Sequence, residues 1–109
     1  MAGEIYRNFA RDFPIPREGD LRVWWISQIP GKPFEWPVAD GTQAALLLSV
    51  LAAYDDFQFE QRIKGDYSNA GGLWRYERGE WVDWEDPETG DDFDEYIAKL
   101  KAARYNAIV

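Results

Sequence analysis

A chain of 109 residues is long enough for one hydrophobic core and too short for two. Lacking both cysteine and histidine, it has no disulfide, no imidazole acid–base chemistry, no thiol nucleophile and no zinc site built from nitrogen and sulfur ligands. The net charge of −8 is uneven: ten acids and one arginine lie between Glu77 and Glu95, a local −9, and ten acids with eleven bases leave +1 elsewhere. That balance opposes a DNA groove and leaves room for a small anion away from the acidic segment.

Residues 1–20 form an irregular N-terminal lead-in, because Pro14 and Pro16 cannot sit inside a helix. Leu21 to Ile26, LRVWWI, is rich in β-branched and aromatic residues and predicts a strand. Both of its faces are apolar, so a central or doubly covered place in the sheet is expected. Gln28 to Val38, QIPGKPFEWPV, reads as a stiff extended loop presenting Lys32, Phe34, Glu35 and Trp36, since it contains three prolines and a glycine.

Asp40 and Gln43 stand as N-cap and capping-box partner of a helix. Leu47, Val50, Leu51 and Tyr54 then follow at the spacing of a buried stripe. The apolar run Ala44 to Tyr54 is about half of what a bilayer span needs, so no membrane span is expected. Asp55 to Lys64 suits either a strand or a helix. Leu73 to Trp84, LWRYERGEWVDW, predicts a hairpin turning at Arg78 and Gly79. A two-residue turn sets Tyr76 against Trp81 and Leu73 against Trp84. Trp74, Tyr76 and Trp81 then share one face, with Leu73, Val82 and Trp84 on the other.

Asp92 to Arg104 predicts a last helix with Phe93, Ile97 and Leu100 on one stripe and a Glu95 to Lys99 pair. The order gives an α+β fold: one domain over 21–109, an antiparallel or mixed sheet, and a C-terminal helix packed on it.

None of this carries a catalytic signature. Ser27, Ser49 and Ser68 have no histidine to activate them. The acids from Asp83 to Glu95 lack the frame of a calcium loop and read as a solvated edge or a surface for a basic protein. Asp66 to Trp74, DYSNAGGLW, offers Asn69, Gly71 and Gly72 as a backbone cradle for an anion. No Lys-Ser/Thr pair and no helix follow, so a corner leading into a strand is the stronger reading. Beside six Tyr and six Phe, six Trp in so short a chain are more than packing usually needs, and flat rings beside cations stack on bases or form protein hot spots.

Four strings, LRVWWISQIPGKPF at 21–34, YDDFQFE at 54–60, IKGDYSNAGGL at 63–73 and GEWVDWED at 79–86, resemble a small tailed-phage and prophage family labelled superinfection exclusion protein. The resemblance implies phage origin, expression in a bacterial host and a role in altering host susceptibility. It implies no catalytic residue.

The expectation is a non-catalytic binding protein in the host cytoplasm, without cofactor or metal. Most concretely it sequesters a small anionic nucleotide, with Trp24, Lys32, Trp36, Lys64, Asn69, Gly71, Gly72, Trp74 and Arg75 as ligand residues. The alternative is a module that binds a host or phage protein through its aromatic surface or acidic edge. Abundant exposed aromatics would favour a homodimer.

Overall fold

The computed structural model describes residues 15–27, 29–61 and 69–108, with side chains as far as 103. Four strands, β1 (Leu21–Ile26), β2 (Phe34–Val38), β3 (Ala70–Glu77) and β4 (Glu80–Asp83), and two helices, α1 (Gly41–Glu60) and α2 (Phe93–Ile108), follow one another along the chain. All strand pairs are antiparallel, in the order β2-β1-β3-β4. The fold is thus α+β, and β1 takes the central place its apolar faces predict.

Alternation along β1 sends Val23 to one face, where it joins Val38, Leu73, Trp84, Ala44, Leu48 and Phe93 in the core. Helix α1 covers this face. It starts where expected: the Asp40 carboxylate accepts from the Gln43 N–H at 2.8 Å, and the Gln43 side chain accepts from the Ala39 N–H. It then runs through the ambiguous segment as far as Glu60, ending on a Gln61 cap. Residues 62–64 lie outside the described residues.

Two expectations change. Phe34 to Val38 is a strand rather than an extended loop. It pairs only with β1 and forms one edge of the sheet, where a proline such as Pro37 is tolerated because alternate N–H groups face away from the ladder. The inward stripe of α1 is also rotated. Gly41, Ala44, Leu48 and Asp55 are buried, Leu47 and Leu51 pack beside them, and Val50 and Tyr54 stay exposed. Apolar residues surround α1 on nearly all sides, so spacing alone does not fix which face turns inward.

The hairpin forms as its pattern predicts, with Tyr76 opposite Trp81 and the Trp84 N–H donating to the Leu73 carbonyl. Arg78 and Gly79 both have positive φ, 52° and 81°, the signature of the turn that matches strand twist. The Arg78 N–H donates to the Glu18 carboxylate. Trp84 then crosses to the helix side and meets Phe93 and Tyr96 edge-on, at 5.9 and 5.2 Å between ring centres.

At the head of α2, Asp92 and Glu95 cap each other's N–H groups. Lys99 pairs with Asp91 at 2.5 Å, and Glu95, one turn before it on α2, adds its attraction to the same ammonium. This bond holds the Asp91 carboxyl below its ordinary range and raises the Lys99 ammonium. Asp91 should therefore titrate below the usual aspartate range in an NMR pH series, and move back up in Lys99→Ala. Because its folded pKa is depressed, any stability it contributes is present above the unfolded value and is lost as pH falls through the folded one. An unchanged Asp91 titration in Lys99→Ala would show that the ion pair does not form in solution. Among the described residues, no helix is long and apolar enough to cross a membrane.

Candidate functional site

The face of the sheet turned away from α1 is built by the other half of the alternation. Arg22 and Trp24 come from β1, Glu35 from β2, Gly72, Trp74 and Tyr76 from β3, and Trp81 and Asp83 from β4. Trp24 stacks on Trp74 with ring centres 5.8 Å apart. Tyr76 meets Trp81 edge-on at 5.0 Å. The Arg22 guanidinium lies 4.7 Å from the centre of the Trp81 ring and 3.5 Å from the Glu35 carboxylate, so its charge is already shared between a π face and an anion. Among the described residues both helices lie on the other side of the sheet.

The two adjacent glycines belong to this surface. Gly71 and Gly72 lie inside β3, opposite Trp25 and Trp24 of β1. A Cβ on Gly71 would come 2.7 Å from the Trp25 ring, and one on Gly72 would come 2.6 Å from Trp24 Nε1. Each glycine therefore lets one indole lie flat across the strand, Trp25 on the helix side and Trp24 on the other. Neither is among the glycines with positive φ, and the strand ladder occupies them. The cradle reading of this stretch thus gives way to strand pairing. Asn69, just before β3, donates to the buried Asp55 carboxylate of α1 and ties the helix to the start of the strand.

The remaining expected ligand residues do not converge. Trp36 lies on the helix side of β2 and stacks with Phe34 at 6.1 Å. Lys32 is exposed before β2. Arg75 points to the same side as Leu73, and Lys64 lies outside the described residues. Of the nine, Trp24, Gly72 and Trp74 share one surface. Arg22, Tyr76 and Trp81 complete it; spacing within the hairpin marks the last two, and only the pairing of β1 with β3 brings in Arg22.

Acidic clefts adjoin this surface. One, of about 240 Å³, opens between the β3 edge at Gly71 to Leu73 and the start of α2, with Trp24, Trp84 and Phe93 as its rings and Asp83, Asp92 and Asp94 as its charges. A second, of about 470 Å³, holds Arg75 among Glu77, Asp83, Glu85 and Asp86. Arg75 Nε is 3.3 Å from Glu77 Oε1, and carboxylates outnumber this one cation along the cleft. Rings walled by anions favour a cationic group and disfavour phosphate.

The model of the superinfection exclusion gene product 17 family matches residues 20–102. The chain belongs to the superinfection exclusion family. It is 36% identical over 95 residues to the superinfection exclusion protein of Salmonella phage P22, covering 74% of this chain and 92% of that one. No solved structure matches the chain. The stretch shared with the superinfection exclusion family includes all four strands, both clefts and most of α2.

Proposed function

We propose that this superinfection exclusion protein is a non-catalytic binding module, acting in the host cytoplasm, that takes a host or phage protein onto its aromatic sheet face and seats a basic element of that protein in the acidic rim. The observation that carries this reading is the composition of one surface. Trp24, Trp74, Tyr76, Trp81 and Arg22 lie together on it, and Trp, Tyr and Arg are the residue types that dominate binding energy at protein interfaces. Its borders carry Asp83, Asp92 and Asp94.

The rings also suit a nucleobase, which supports sequestration of a small nucleotide as the competing reading. Phosphate would need cations beside the rings. Arg22 is engaged by Glu35 and Trp81, and Arg75 sits among carboxylates, so electrostatics favour the protein partner.

Immobilised protein should retain a partner from lysate of phage-infected cells, and raised salt should release it. Trp74→Ala should weaken retention by about 30-fold or more, the loss of a hot spot worth at least about 2 kcal/mol, and should cancel exclusion in a plaque assay. A panel of cyclic and linear nucleotides should leave Tm unchanged. A Tm rise with recovery of intact nucleotide would reverse the assignment in favour of sequestration, since ligand at a hundred times Kd adds about 2.7 kcal/mol.

A further inference from the structure

Strand β3 has eight residues and its neighbour β4 only four, so β4 stops at Asp83, opposite Trp74. Just beyond it the Trp84 N–H donates to the Leu73 carbonyl, whereas the Tyr76 N–H donates to the Asp20 carbonyl on the other side of β3. Backbone groups alternate in this way along a strand. Gly71 therefore directs its N–H and C=O to the same side as Leu73, past the end of β4. Among the described residues no strand pairs with Gly71 on that side, and Gly71 is exposed. The opposite edge of β3 is paired with β1 as far as Ala70, so the opening is confined to one edge.

The cleft of about 240 Å³ lies at this gap, with Gly71, Gly72 and Leu73 on one side and Asp83, Asp92 and Asp94 among its other walls. All three carboxylates are exposed, and no lysine or arginine is among the described residues that line it. We infer that an extended segment of the partner protein adds as a strand to β3 at Gly71 to Leu73, antiparallel and in line with β4, and sets a lysine or arginine in this cleft. The inference rests on the protein-binding reading and gives the bound segment its shape and charge.

In strand addition the main chain supplies affinity and alternate side chains supply specificity. The added residue opposite Gly71 exchanges both main-chain bonds with it. The residue before it, opposite Gly72, carries its side chain on the face of Trp24 and Asp83. The Trp24 ring lies across Gly72, so a lysine or arginine there rests its stem and charge against the indole. Its head meets Asp83, two places back along the same edge. Charge also excludes other occupants: an acidic or phosphate-bearing segment would face three carboxylates. A second copy of this chain would oppose the same carboxylates to its own, a device that keeps open edges from pairing with each other. Because β3 begins at Ala70, the added strand is short and binds modestly on its own.

The probe is the acetylated and amidated peptide TVTRTVT, titrated into the isotope-labelled full chain to roughly 5 mM, where even a millimolar Kd is seen by NMR. The amides of Gly71 and Leu73 and the Trp24 indole N–H should shift together. The peptide TVTETVT should move none of them. N-methylation of the threonine after the arginine removes the N–H that the Gly71 carbonyl accepts, and should abolish the shifts. N-methylation of the arginine, whose N–H points away from β3, should not. Asp83→Lys, at an exposed position, should keep its far-UV spectrum and bind the probe about tenfold more weakly or worse. No shift at Gly71 at any concentration, or equal binding by the peptide methylated after its arginine, would overturn the inference. Silence at Gly71 while Trp74→Ala still cancels lysate retention would end strand addition and leave the aromatic face standing. A Gly71 response with retention indifferent to Trp74→Ala would do the reverse.

Discussion

Trp84→Ala is expected to cost about 3–5 kcal/mol, a large share of the roughly 5–15 kcal/mol that holds a domain folded. The ring is 7% exposed and meets Phe93 and Tyr96 edge-on. Its outer edge also lies 3.3 Å from where a Cβ on Gly41 would stand. One side chain thus wedges the first turn of α2 against the first turn of α1 and the end of β4. Its removal leaves a void that three elements would have to close together. Urea denaturation should show a lower midpoint at an unchanged slope. Trp81→Ala, three residues earlier on the open face, should cost far less, because that ring is only partly covered. Equal losses in the two variants would show that the wedge does not hold α2.

The glycine pair should separate stability from binding. Gly71→Ala places its methyl 2.7 Å from the Trp25 ring, with Leu48 and the Trp24 carbonyl each 3.2 Å away. With side chain on one side and backbone on the other, the strain falls on the packed layer, and about 1–3 kcal/mol of stability should be lost. In Gly72→Ala the three nearest atoms all belong to the Trp24 ring, the first at 2.6 Å, and among the described residues that ring lies on the face without a helix. It can lift away, so the melting temperature should move less while the Trp24 and Trp74 stack is broken and partner retention falls. Thermal melts and retention assays on the two variants, side by side, check this. Greater destabilisation by Gly72→Ala than by Gly71→Ala would contradict the layer assignment.

What was legible in the chain was whatever short-range chemistry decides. The Asp40 and Gln43 cap, the Arg78-Gly79 turn and the two faces of the hairpin each depend on residues a few positions apart. The edge strand at Phe34 to Val38 was hidden by its prolines, because tolerance of Pro37 depends on having a single neighbour. The inward face of α1 was obscured because the helix is apolar on nearly every side, and the sheet beneath it selects Ala44 and Leu48 over Val50 and Tyr54. The aromatic excess pointed toward a surface, but its membership depends on β1 meeting β3 in one register. That pairing puts Trp24 over Gly72 and Trp25 over Gly71, and no local pattern in DYSNAGGLW contains it.

The order β2-β1-β3-β4 also bears on how the chain reaches this state. It consists of two antiparallel pairs, β1 with β2 and β3 with β4, each joining strands that are neighbours in sequence. The seam between β1 and β3 joins residues separated by all of β2, α1 and the segment after it, so its closure carries most of the loop entropy. Folding speed should therefore follow changes along Val23, Leu73 and Gly71 more closely than changes in either turn. The aromatic surface spans that same seam, so it exists only once the two halves are joined.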